Sequence, residues 1–226
     1  MGLQMDLNSF FSKIASHYDK FIGLVSIGVD KKLVGEAINE SKLAGRGRKK
    51  VLDVATGTGR VAFAIARKYK NYDVIGIDIN SEMLGEAQKK GKGLKNLSYF
   101  LGNVESLEFE DNKFDIVVSA FSLSLFDDLP KAVAEMHRVL KPRGKLILMD
   151  MLKPKDSVLR KLLDLYYSAN VLPSLDARFR HEMELYIRKT FNVDKNHVIE
   201  LLKEAGYKNI NQKEFSGIAF VITASK

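Results

Sequence analysis

Two apolar periods alternate along the chain. Val51, Leu52 and Val54 form a short aliphatic run that reads as a buried strand, and Val61, Ala62, Ile65 and Ala66 follow at helical spacing. Residues 60 to 69 predict a helix, 73 to 77 a strand, 81 to 90 a helix, 98 to 101 and 115 to 121 strands, 130 to 140 a helix and 145 to 151 a strand. Strands interleaved with helices pair in parallel through right-handed crossovers and carry helices on both faces. The expected fold class is therefore α/β, with a doubly wound, mostly parallel sheet. Further on, 194 to 205 predict a helix stopped by Gly206, and 208 to 214 with 217 to 224 predict two closing strands. Ahead of the first strand, Phe10, Phe11, Ile14, Ala15 and Tyr18 share one helical face, with Ser9 in the cap region.

Between the fifth strand and the C-terminal helix lies a long insertion, residues 155 to 190. Val158, Leu159, Leu162, Leu163 and Tyr166 recur in it at helical spacing, Pro173 follows, and Arg160, Lys161, Arg178, Arg180, His181, Arg188 and Lys189 make it basic. Insertions of this kind carry substrate specificity. A basic, amphipathic lid suits an anionic aromatic substrate or a lipid-linked one near a membrane surface. Replacing Tyr166 and Tyr167 is expected to spare cofactor affinity and to lower turnover.

The 226 residues, 46% hydrophobic and 28% charged, suit one domain over 1–226, with a helical cap over 1–45 and the lid over 155–190. Cysteine is absent, which closes disulfide frameworks, Cys-based metal sites and thiol nucleophiles; no metal is expected. Lys13, Asp19 and Lys20 interrupt the apolar stretch from 8 to 23, and nothing reaches the ~20 residues of a membrane span. A cytoplasmic protein with at most peripheral membrane contact is expected. The net charge of +8 raises the question of nucleic acid, with Arg46-Gly-Arg-Lys-Lys50 the densest cluster. No recognition motif or interleaved aromatics accompany it, so it reads as a solvated connection.

Candidate chemistry concentrates in Val51-Leu-Asp-Val-Ala-Thr-Gly-Thr-Gly-Arg60, a strand that ends in glycines and passes at once into a helix. Gly57 and Gly59 can take positive φ and let a ligand approach the backbone, and the free N–H groups of the new helix favour an electron-rich group. Gly57-Thr-Gly59-Arg-Val-Ala62 also satisfies the dinucleotide pattern, and Val74-Ile-Gly-Ile-Asp78 supplies an acid for ribose hydroxyls 78 − 59 = 19 residues past the second glycine. Asp53 tilts the choice of cofactor. A carboxylate ahead of the glycines would hold an ammonium group and repel a pyrophosphate, which favours S-adenosylmethionine over NAD. Asp53, Gly57, Asp78, Asn103 and Phe121 all fall at carboxyl ends of the expected strands, where such sheets bind ligands.

These motifs, with Gly76-Ile-Asp-Ile-Asn-Ser-Glu-Met-Leu84, resemble a class I S-adenosylmethionine-dependent methyltransferase. Phe109-Glu-Asp-Asn-Lys-Phe-Asp115, Glu135-Met-His-Arg-Val-Leu-Lys-Pro-Arg-Gly144 and Ala15-Ser-His-Tyr-Asp19 with Ser26-Ile-Gly28 are similar to the ubiquinone and menaquinone C-methyltransferase family. The resemblance spans nearly the whole chain and implies a seven-stranded sheet and a small-molecule substrate, such as a prenylated quinol methylated on carbon. The cofactor contacts it implies are Thr58, Asp78, and the pair Asn103 and Val104, with Asn103 near the adenine amino group. Met83 is expected over the adenine face, and Ala55, Gly59 and Ile79 extend the two loops. The implied N-terminal closure brings in Tyr18. Tyr18, Phe121 and Phe126 are candidate aromatic faces for the sulfonium charge. In-line methyl transfer needs positioning more than side-chain chemistry; where a base is needed, His17, Asp127 and Tyr166 are the candidates, and His137 reads as structural. The chain departs from the family at Phe121-Ser-Leu-Ser-Leu125, where Phe-Gly-x-Arg-Asn is usual, at Ala120, where a serine contact is usual, and at Arg60, where Asp is usual. An RNA methyltransferase, a nicotinamide-dependent oxidoreductase and a non-catalytic cofactor binder are the alternative classes.

Overall fold

The computed structural model describes residues 6–42, 47–152, 154, 156–171 and 177–226. Helix α1 (Leu7–Ile14) starts at Asp6, whose carboxylate accepts from the Ser9 amide at 3.1 Å. The cap is thus Asp6 and not Ser9, because Asp6 holds the extended backbone that aims an acceptor at the first turn. A 3-10 turn at Ala15–His17 separates α1 from α2 (Tyr18–Val25), and Gly28, at φ 75°, reverses the chain into α3 (Val29–Glu40). Phe10, Ile14, Ala15 and Tyr18 are buried as their common face implies, while Phe11 is half-buried.

The alternating part follows: β1 (Lys49–Val54), α4 (Arg60–Lys68), β2 (Tyr72–Asp78), α5 (Ser81–Gly91), β3 (Leu97–Leu101), β4 (Phe114–Ala120), α6 (Leu129–Val139) and β5 (Leu140–Met151). After it come α7 (Ser157–Tyr166), a π-helical turn (Tyr167–Val171), α8 (Ala177–Thr190), α9 (Lys195–Glu204), β6 (Lys208–Phe215) and β7 (Ala219–Ser225). The sheet has seven strands in the order β3-β2-β1-β4-β5-β7-β6. Pairings up to β5 are parallel, whereas β7 runs antiparallel to both neighbours. The strand order reverses between β1 and β4, so the crevice at their carboxyl ends is the expected ligand position.

Strand residues alternate between two buried layers. Val51, Ile116, Val118, Ile147 and Met149 face the N-terminal helices, α4 and α8; Leu52, Val54, Val117, Leu146 and Leu148 face α6 and α9. The first layer joins the cap to the insertion: Tyr186, fully buried on α8, lies 5.2 Å from the Phe10 ring and 5.6 Å from Phe21. Lys13 pairs with Glu182 at 2.9 Å.

Helix α7 departs from its expected packing. Leu163 is buried, but Val158 and Leu162 are 63% and 58% exposed. The Tyr167 hydroxyl donates to the Val25 carbonyl at 2.6 Å and Tyr166 to Leu24 at 3.2 Å, so the two tyrosines tie the end of α7 and the π-helical turn after it to α2. Arg46 of the basic cluster and Pro173 of the insertion lie outside the described residues, as does the Arg178 side chain. No helix among the described residues is long and apolar enough to cross a membrane.

Candidate functional site

The turn from β1 into α4 is held open by its backbone. Ala55, Gly57 and Gly59 all have positive φ, at 51°, 55° and 73°. A side chain on Gly59 would put Cβ 2.9 Å from that of Ala87, so the third turn position admits only glycine without displacement. The Thr56 amide donates to Ile77 at 2.8 Å, which fixes the turn against the end of β2.

Asp78, the last residue of β2, links both loops. Its Oδ2 accepts from the Gly57 amide at 2.7 Å and its Oδ1 from Asn80 at 2.9 Å. A carboxylate oxygen has a second lone pair, so both remain able to accept from a ligand diol. Burial raises the Asp78 pKa, and the backbone donors pull it back. Asp53 is 1% exposed, and its Oδ2 accepts from Thr56 Oγ1 at 2.6 Å and from the Ala62 amide at 3.0 Å. Burial pushes its carboxyl up to about 7, an effect that a neighbouring cation would reverse.

A cavity of about 840 Å³ opens over these groups. Asp53, Ala55, Gly57, Thr58, Asp78 and Ile79 form its floor at the ends of β1 and β2. Met83, Asn103 and Val104 close one side, and Tyr18, Ala120 and Phe121 another. Asn103 Oδ1 accepts from the Glu105 amide at 2.8 Å, which fixes the turn after β3. Phe121 holds φ 58°, an uncommon conformation for an aromatic residue, with its amide donating to Met149 at 2.9 Å. Tyr18, Phe121 and Phe126 all line the cavity, as does Asp127.

Three expected residues stand elsewhere. Gly59 shapes the turn from outside the wall. His17, in the 3-10 turn, is also off the wall, and its Nδ1 lies 2.9 Å from Ser16 Oγ. Tyr166 is directed to α2 by its bond to Leu24, which removes it from the cavity. The expectation for Tyr166 and Tyr167 is corrected accordingly: the insertion reaches the cavity through Leu185 and Lys189 of α8. Leu185 and Lys189 carry no motif that separates them from an ordinary amphipathic helix. Asn8 and Arg60 also line the cavity without having been expected there; for Arg60, the charge placed directly after Gly59 was the available signal.

This set fits S-adenosylmethionine, with a carboxylate for a diol, aromatic faces for a sulfonium and a glycine turn for close backbone approach. The fold is that of a *Thermotoga maritima* S-adenosylmethionine-dependent methyltransferase structure described as a possible histamine N-methyltransferase, with TM-score 0.67, 18% identity, and coverage of 96% of this chain and 99% of that one. The fold is the class I methyltransferase fold. Residues 4–226 match the model of the ubiE/COQ5 methyltransferase family. A *Rickettsia bellii* ubiquinone/menaquinone biosynthesis C-methyltransferase UbiE is 35% identical over 222 residues, 93% of this chain and 88% of its own length. A *Chlorobaculum tepidum* demethylmenaquinone methyltransferase is 33% identical over 208 residues, 89% of this chain and 84% of its own. The chain belongs to the ubiE/COQ5 methyltransferase family.

Proposed function

We propose that the chain transfers a methyl group from S-adenosylmethionine to a ring carbon of a prenylated quinol. The observation that carries this reading is the continuity of one cavity: its polar floor at Asp78 and Gly57 runs into a wall of Phe11, Val34, Leu125, Phe126 and Leu185. An apolar, aromatic wall suits a flat ring with a hydrocarbon tail. The related quinone-biosynthesis methyltransferases supply the substrate class, and membership in their family excludes the nicotinamide alternative.

In this reading Asp78 accepts the ribose hydroxyls, Met83 and Val104 cover the adenine, and Asp53 faces the methionine ammonium. When bound, the cofactor would supply an electrophilic methyl group to the ring carbon's electron pair, with the sulfur as leaving group. Tyr18, Phe121 and Phe126 hold the acceptor ring in line and exclude water from it, which is where most of the rate arises. Of the three acid-base candidates, Asp127 lies at the cavity, exposed at its mouth, and passes the departing ring proton to solvent. Leu125 takes the place of the family's usual Asn, so apolar contact replaces a polar one on that wall.

Labelled-methyl transfer into a fractionated cell extract, followed by mass identification of the product, tests this reading. Label in a prenylated quinol supports it. Label confined to RNA or protein refutes it.

A further inference from the structure

Arg60 opens α4 beside the glycine turn, and its guanidinium is unevenly engaged. Nη2 donates to Asp30 Oδ2, and Nε faces Asp19 Oδ1 at 3.9 Å. Nη1 is buried, and among the described residues it has no hydrogen-bond partner. Arg60 lines the cavity, with its side chain 20% exposed. A buried donor without an acceptor calls for an explanation, and a ligand group is one that this position admits.

The two carboxylates are themselves fixed by the helical cap and the glycine turn. Asp30, 1% exposed, accepts from Ser26 Oγ at 2.7 Å. Asp19 accepts from Thr58 Oγ1 and from Lys90 Nζ, both at 2.6 Å. Arg60 and Lys90 balance Asp19 and Asp30 in charge, so the free edge of the guanidinium offers a positive donor in a neutral surround. The opposite character is found at Asp78, an acceptor on the same cavity. A ligand that satisfies both ends carries hydroxyls at one end and an acid at the other.

We propose that Arg60 Nη1 holds the α-carboxylate of the cofactor's methionine arm, while Asp19 and Asp30 orient the guanidinium for that contact. Resting on the cofactor assignment, this adds an anchor at the amino-acid end of the ligand. Guanidinium suits the task because its planar fork serves Asp30 and a second carboxylate at once.

The test compares S-adenosylhomocysteine with 5′-methylthioadenosine, which keeps the nucleoside and thioether and lacks the amino-acid arm. Calorimetry on Arg60→Gln should show S-adenosylhomocysteine affinity lower by roughly tenfold or more, with 5′-methylthioadenosine within about twofold of wild type. Equal losses for both ligands would make Arg60 a brace of the turn and overturn the inference, as would unchanged S-adenosylhomocysteine binding. If Arg60→Gln fails to fold, Arg60→Lys keeps a charge opposite Asp30 but not the fork, and the same selective loss is expected. Equal losses there would overturn the inference again. Wild-type protein that binds neither ligand would refute the cofactor assignment itself, a result distinct from any Arg60 effect.

Discussion

Replacing Asp78 with Ala removes an acceptor that serves the protein and the ligand together. In the ligand-free protein, Gly57 and Asn80 each lose a backbone hydrogen bond, at 2.7 and 2.9 Å. With S-adenosylhomocysteine bound, the two ribose hydroxyls lose their acceptor as well. A hydrogen bond to a charged group is worth ~1.5–3 kcal/mol, and water replaces part of it at a half-buried site, so a loss of ~2 kcal/mol or more, about 30-fold in Kd, is expected. Asp78→Asn should not restore binding. An amide has one acceptor oxygen, so either Gly57 or Asn80 would then face an NH2 group. Calorimetric titration of both variants with S-adenosylhomocysteine, alongside circular dichroism to confirm folding, measures the effect. Binding within about threefold of wild type by Asp78→Ala would refute the reasoning and reduce Asp78 to a fastener between two loops.

Two further outcomes concern stability. Tyr167→Phe loses the bond to Val25 and should cost ~1–2 kcal/mol of stability by denaturant titration, with cofactor affinity unchanged because the hydroxyl faces α2. Burial holds Asp150 at about 7, as it does Asp53, although the Leu123 and Met151 amides donate to Asp150 at 2.8 and 2.7 Å. A carboxyl whose pKa is raised by folding contributes stability fully below its unfolded pKa and loses it as pH rises through the folded value. The ligand-free protein should therefore lose stability as pH rises from about 4 to about 7 through these two groups, against an opposite effect from His137, whose pKa burial lowers. Subtracting the Asp150→Asn melting profile from the wild-type profile isolates the Asp150 part, and a flat difference over that range would contradict it.

What could be read from the sequence follows from what each feature depends on. The order of strands and helices is carried by local apolar period, and β1, α4, β2 and α5 fall where that period puts them, within a residue or two at their ends. The Gly57 turn and Asp78 were legible because positive φ and a strand-end acid leave few choices of residue. His17 and Tyr166 were misplaced for the opposite reason. His17 sits in a 3-10 turn that breaks the helical period, and Tyr166 is directed by a tertiary neighbour, Leu24, neither of which spacing reveals. Helix α7 shows the same limit, since Val158 and Leu162 have a core-like period yet face outward. Arg60 was visible as a departure after Gly59, but its use depends on Asp19 and Asp30, 41 and 30 residues upstream.

The most direct test of carbon methylation is transfer from methyl-labelled S-adenosylmethionine to a purified demethylmenaquinol kept reduced, with the product examined by mass fragmentation. Label retained on a ring fragment, resistant to cleavage as an ether, is the expected result. Label recovered as an O-methyl ether, or no transfer by protein that binds S-adenosylhomocysteine, would contradict it.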